Sequence, residues 1–222
     1  MHPFKQHILK ELTTSEKRRF SQLKPKAIES NLFVYHLKSL VSEGYVKKLE
    51  ESYQLTALGK RYVDKLSLRN FQPRFQPKIV TVIICKNSKE EYLLCHSSRQ
   101  PFFGKLCFPY GKIHFGETLK AGAARELKEK TGLSAQITHR ADAYLTVYEN
   151  EELVTHMLCH IFLVAHCKGE LKPHSSHPGE FCASWQKITK ENRANFIPGF
   201  LNFFELVKTN KALFFKELTL KI

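Results

Sequence analysis

Glu117, Arg125, Glu126 and Glu129 are concentrated in one stretch, Gly111 to Leu133, which reads GKIHFGETLKAGAARELKEKTGL. A loop containing Gly111 and Gly116 leads to Thr118, a good N-cap, and the Ala, Leu, Arg, Glu and Lys residues that follow favour a helix that Gly132 is placed to close. On that helix Arg125 and Glu129 stand four residues apart and Glu126 and Glu129 three apart, so one face carries clustered carboxylates with a guanidinium beside them. Carboxylates grouped at a loop–helix junction suit a hard divalent cation, magnesium or else manganese, which keeps waters for substrate phosphates.

The spacing resembles the Nudix box, G-x5-E-x7-R-E-U-x-E-E-x-G-U with U a bulky aliphatic residue, through Gly111, Glu117, Arg125, Glu126, Leu127, Glu129, Gly132 and Leu133. The preceding run FGKLCFPYGK is similar to the family's approach to the box, with Tyr110 in place of a usual glycine. Carried over by position, the resemblance implies catalytic roles for Arg125, Glu126 and Glu129. It makes Glu126 and Glu129 metal ligands or near-ligands, sets Glu117 and Arg125 to brace the loop against the helix with Glu117 counted among the metal-site residues, and offers the Tyr110 backbone carbonyl to the metal. Glu180, in the loop before Trp185, resembles the late acidic residue that some members add as ligand or base.

One position departs from the pattern. Lys130 stands where the family has the second glutamate of its EE pair. Unit charges about 4 Å apart at an effective dielectric near 20 interact by about 4 kcal/mol, and a dication feels about twice that. A quarter of that repulsion, about 2 kcal/mol, already weakens metal binding more than tenfold. The other reading of Lys130 is an ordinary i,i+4 partner of Glu126, worth about 0.3–0.5 kcal/mol.

The whole chain, 222 residues with 42% hydrophobic and 25% charged side chains, has the balance of a soluble globular protein with one large domain or two small ones. No apolar run reaches the length of a membrane span and MHPFKQHILKEL lacks a signal-peptide core, so a cytoplasmic location and no membrane partner are expected. The six cysteines form no CxxC pair, which argues against a zinc ribbon or a disulfide framework. His156 and His160 have helical metal-ligand spacing but lie in a run that reads as a strand. The net charge of +14 makes a polyanionic partner plausible without locating it.

Residues 1–66 read as three helices, a short hairpin and a closing helix. Phe4, Ile8 and Leu12 mark the first helix, Phe20 and Leu23 the second, and Leu32 or Phe33, Leu37, Leu40 and Val41 the inner face of a third that Ser30 or Asn31 caps and Gly44 stops. Thr56 caps the fourth. The order, and the wording HLKSLVSEGYVKKLEESYQLTALGKRYV, resemble a winged helix-turn-helix domain. Such a domain places its third helix in the major groove of duplex DNA, which implies Ser30, Asn31, Tyr35 and Lys38 as groove contacts and Lys24 and Lys26 as phosphate contacts. A two-fold operator would imply a homodimer.

Residues 67–77, with Pro73 and Pro77, read as a linker. From residue 78 to 222 the pattern turns to strands: KIVTVIICKN and EEYLLCHSS as a hairpin-like pair, two longer runs meeting near Asn150 and Glu151, CASWQKI, and a closing helix marked by Phe200, Phe203, Phe204 and Val207. The fold class expected is α/β: a winged helix-turn-helix domain followed by a Nudix α/β/α sandwich with a mixed sheet. The tail KALFFKELTLKI reads only as a strand or helix end. The resemblances imply a DNA-binding regulator whose Nudix domain binds a nucleoside diphosphate-linked metabolite. The alternative is a magnesium-dependent hydrolase that cleaves the pyrophosphate of such a compound.

Overall fold

The computed structural model describes residues 1–67, 70–172, 182–209 and 213–221. Its chain contacts divide into two compact units, Met1–Phe75 and Gln76–Ile222.

The first unit is built from α1 (Pro3–Thr13), β1 (Arg18–Arg19), α2 (Phe20–Leu23), α3 (Ser30–Ser42), β2 (Val46–Lys48), β3 (Ser52–Leu55) and α4 (Ala57–Val63). Its strands form a small antiparallel sheet in the order β1-β3-β2. Apolar residues at helical spacing close the core, with Ile8, Leu9 and Leu12 of α1 against Leu23, Phe33, Leu37 and Leu40. Leu32 lies outside this core and is exposed. The N-cap of α3 is Glu29, which makes no side-chain capping bond, so Ser30 and Asn31 are the first two helical residues and not caps. Gly44 ends that helix with φ of +79°, a conformation open to a residue without Cβ. The Thr56 hydroxyl accepts the Gly59 N–H at 3.1 Å and so caps α4.

The stretch after Leu66 folds back onto this unit through Arg74. Leu66 bridges to Pro73, the Ser67 N–H donates to the Gln72 carbonyl at 2.8 Å, and the Arg74 N–H donates to the Lys65 carbonyl at 3.0 Å. Phe71 is buried in the same core. Two prolines and the lack of a period make such a segment look extended in the sequence; one aromatic side chain is what anchors it.

In the second unit, β4 (Lys78–Cys85), β5 (Tyr92–His96), β6 (Leu106–Cys107) and β7 (Tyr110–Lys112) lead into α5 (Leu119–Thr131). After it come β8 (Ser134–Ala135), β9 (Thr138–Glu149), β10 (Glu152–Val164), β11 (Cys167–Lys168), β12 (Ala183–Gln186), α6 (Lys190–Arg193), α7 (Phe200–Thr209) and β13 (Phe214–Lys221). The main sheet has the order β13-β9-β10-β4-β7 and is mixed: β13 runs parallel to β9 and β10 parallel to β4, while the other pairs are antiparallel. A smaller sheet has the order β12-β5-β6. The expected hairpin of β4 and β5 therefore amounts to a single bridge, Lys86 to Tyr92, after which the two strands enter different sheets. Asn150 and Glu151 make the tight β9–β10 turn with positive φ at both, the backbone handedness that suits a two-residue hairpin loop.

Alternation along the strands sends side chains to two cores. Val80, Val82, Ala141, Ala143, Leu145, Cys159 and Ile161 pack with Phe200, Phe203, Phe204 and Val207 of α7. Ile83, Cys85, Phe162 and Val164 pack with Ala123 and Leu127 of α5. The tail resolves as β13, whose eight residues add a parallel edge strand to β9. Among the described residues no helix is long and apolar enough to cross a membrane.

Candidate functional site

The site grows from the way α5 is pinned at both ends over β7. Thr118 accepts the Ala121 N–H at 3.2 Å at the start of the helix, and Gly132 closes it in the left-handed conformation. With the helix register fixed, Arg125, Glu126 and Glu129 face the loop that follows β7.

Arg125 is the hub. Its Nε and Nη2 donate to the two carboxylate oxygens of Glu117 at 2.8 and 2.9 Å, Nη2 also donates to the Lys112 carbonyl at 3.0 Å, and Nη1 donates to Glu126 Oε1 at 3.0 Å and Glu129 Oε2 at 3.1 Å. A planar fork with five N–H groups is the side chain that can do this. Glu117 also accepts the His114 N–H at 3.0 Å, and the Arg125 guanidinium, ahead of that backbone bond, holds its carboxyl down at about 2. Glu117 thus ties loop to helix, as its position suggests.

Glu126 is the buried carboxylate of the group, 6% exposed, and it packs directly on the backbone of Gly111. Lys130 lies within hydrogen-bonding distance of the Tyr110 carbonyl oxygen, with its Nζ 3.3 Å from Glu126 Oε2 and 5.0 Å from the centre of the Tyr110 ring. Lys130 pairs with Glu126 and its ammonium also lies against the Tyr110 carbonyl, so it does not point aside from the residues that the resemblance assigns to the metal. Burial pushes the Tyr110 phenol upward, and its ring packs edge-on against Phe200 at 5.2 Å.

Magnesium demands oxygen ligands in near-octahedral array at about 2.0–2.1 Å. Here the Tyr110 carbonyl and Glu126 Oε2 face Lys130, while Glu126 Oε1 and Glu129 Oε2 accept from Arg125. Each of these four oxygens faces a protein cation, and a magnesium ion would have to displace Lys130 to use the Tyr110 carbonyl and Glu126 Oε2. Glu180 lies outside the described residues.

Above these residues opens a cleft of about 560 Å³. Its lining includes the basic residues Lys78, Arg99, Lys112, His114, Arg125 and Lys130, the acidic Glu126 and Glu129, and the large apolar Phe102, Tyr110, Ile197 and Phe200. Lys78 and Arg99 reach it from β4 and from the loop after β5, far from the box in sequence, and no local pattern points to them. The size and the mixture of apolar wall with a few charged groups are those of a small-molecule site.

In the first unit Ser30, Asn31, Tyr35 and Lys38 are all exposed along α3, with Lys26 exposed and Lys24 half-buried just ahead of it. Phe33, Leu37 and Leu40 hold one face of the helix in the core, and Asn31, Tyr35 and Lys38 share the opposite side; Ser30 is in line with the core residues and is exposed because it stands in the first turn.

The NUDIX domain family model matches residues 76–205. Among curated proteins the chain is 30% identical over 125 residues to an ADP-ribose pyrophosphatase of Methanocaldococcus jannaschii, covering 54% of this chain and 72% of the relative. It is 27% identical over 124 residues to an 8-oxo-dGTP diphosphatase of Escherichia coli, covering 54% and 88%. Among solved structures, a MutT protein from Bacillus halodurans superposes with a TM-score of 0.52 at 20% identity over 64% of this chain and 89% of that one. The NUDIX domain of Shewanella oneidensis NrtR, complexed with ADP ribose, superposes with a TM-score of 0.50 at 15% identity over 64% and 94%. At those identities the structural likeness is one of fold.

Proposed function

The chain belongs to the NUDIX domain family, and from that premise we propose that its second unit binds a nucleoside diphosphate-linked metabolite without hydrolysing it. The observation that carries this reading is the placement of Lys130 between the Tyr110 carbonyl and Glu126. Hydrolysis in this family's manner needs a divalent metal to neutralise the pyrophosphate and supply a nucleophile at neutral pH. An ammonium supplies the first of these and not the second. The cleft keeps what binding needs: cationic groups from Lys78, Arg99 and Lys112 for a diphosphate, and the Tyr110 and Phe200 rings for a flat apolar body. ADP-ribose, the compound named with both the archaeal relative and the Shewanella structure, is the first candidate ligand.

The first unit we read as a winged helix-turn-helix domain that binds duplex DNA. Its support is the order of elements, the outward face of α3 with Asn31, Tyr35 and Lys38, the exposed Ser30 in its first turn, and a surplus of 13 basic over 7 acidic residues in positions 1–66. The protein is then a regulator in which ligand shifts the DNA-binding equilibrium through its differential affinity for two states.

A thermal-shift panel of nucleoside diphosphate derivatives on the full chain, with and without magnesium, tests the reading. Stabilisation that grows with ligand concentration and ignores magnesium is expected. Turnover at an ordinary enzymatic rate, about 1–10³ per second with magnesium, would favour the hydrolase instead.

A further inference from the structure

His139, Asp142 and His160 converge at a place no part of the cleft uses. The Nε2 of His139 lies 2.7 Å from Asp142 Oδ1, and the Nδ1 of His160 lies 2.6 Å from the same oxygen. The backbone has to be irregular to allow this. His160 is the direct cross-strand partner of Asp142, but His139 lies three residues from Asp142 on β9 and would face the other way in a regular strand. The register shows the device: His139 pairs with Phe162 and Ala141 with Ile161, so Arg140 is an extra residue and the bulge turns His139 onto the face of Asp142.

We propose that these three side chains form a binding site for a zinc-class divalent transition metal, with a fourth position open to water. One ligand atom from each residue lies within 4.8 Å of the others. Two imidazole nitrogens and one carboxylate oxygen are a donor set that zinc accepts with water as fourth ligand, at about 2.0–2.2 Å from each. Tetrahedral geometry at those lengths puts donors about 3.3 Å apart, so small side-chain rotations open the present contacts enough to admit the ion. A carboxylate only accepts, so each of these ring nitrogens donates to it here, and a metal would take the place of that proton, leaving a proton on the ring's other nitrogen. His160 is buried to 9% exposure, while Asp142 and His139 are half-buried and so keep contact with solvent. Nitrogen donors select this class of metal over magnesium, which separates the site from the box.

The test is calorimetric titration of Zn²⁺ into the chelator-stripped full chain, repeated with Co²⁺ to read the visible bands of a tetrahedral ion. One stoichiometric site is expected, lost or weakened by more than about a hundredfold in Asp142→Asn and in His139→Gln, since removing a direct ligand exceeds the 10–100-fold effect of outer-shell partners. His139→Gln is at a half-exposed position, and its metal-free melting temperature should match that of the wild type, so lost binding cannot be put down to misfolding. Binding should persist in Glu129→Gln. Absence of a stoichiometric site in the wild type overturns the proposal, as does unchanged affinity in both ligand variants.

Discussion

Gly111 lies directly beneath the Glu126 carboxylate: a Cβ added at Gly111 would stand 1.9 Å from Glu126 Cδ. The backbone of β7 and the carboxylate of α5 therefore share one contact surface, and a side chain at position 111 has to drive the carboxylate away from Arg125 and Lys130. Gly111→Ala should lower stability by about 1–3 kcal/mol, the usual range for overpacking. Denaturant melts would show the loss as a lower midpoint with unchanged slope.

Lys130→Glu should convert the site. The substitution removes the ammonium from between the Tyr110 carbonyl and Glu126 and adds a carboxylate on the same helix, so magnesium affinity should rise at least about tenfold and hydrolysis of a nucleoside diphosphate derivative should appear. Adding Glu126→Gln to that variant should abolish the gain. Magnesium titration and phosphate release, measured side by side, check both halves.

Acid should loosen the loop before it loosens the core. Arg125 and the His114 N–H hold the Glu117 carboxyl at about 2, below its ordinary 4.5. A depressed carboxylate contributes stability that is complete above the ordinary value and disappears as pH falls through the lowered one. The difference in melting temperature between wild type and Glu117→Gln should thus be constant at neutral pH and vanish between pH 4.5 and about 2. A difference that persists at the acid end would mean the ion pair to Arg125 is not its origin.

DNA binding should follow the lysines around α3. Each phosphate contact contributes about 0.9 to the slope of log K against log salt on duplex DNA, so replacing Lys24, Lys26 and Lys38 together by alanine should flatten that slope by about 2–3. Fluorescence anisotropy with a labelled duplex measures it. An undetectable interaction of the full chain with duplex DNA at about 50 mM salt would remove the regulator reading.

The box helix and its caps at Thr118 and Gly132 were legible in the sequence because all the determinants lie within one helix and its ends. The same holds for α7, whose Phe200, Phe203, Phe204 and Val207 are buried at the expected spacing, and for the Asn150-Glu151 turn. What stayed hidden depends on register or on distant contacts. Lys78 and Arg99 enter the cleft from segments without a motif, and β13 acquires its identity only by pairing with β9. His139 and Asp142 are three apart, a spacing that puts side chains on opposite faces of a regular strand, and the bulge at Arg140 brings them to the same face. The aromatic at position 71 carries no periodic signal, yet it ties the segment after Leu66 into the first core. The lysine of the box shows its charge in the sequence, but not that it reaches the carbonyl of Tyr110.

Because the ammonium is carried on the same helix as Glu126, any dissolved cation competes with one that is always present. On the metal-free reading proposed above, the charge of the cleft would not track free magnesium. A compound arriving there would then meet the same electrostatic surface at any magnesium level, and occupancy would report the level of one species instead of the product of two.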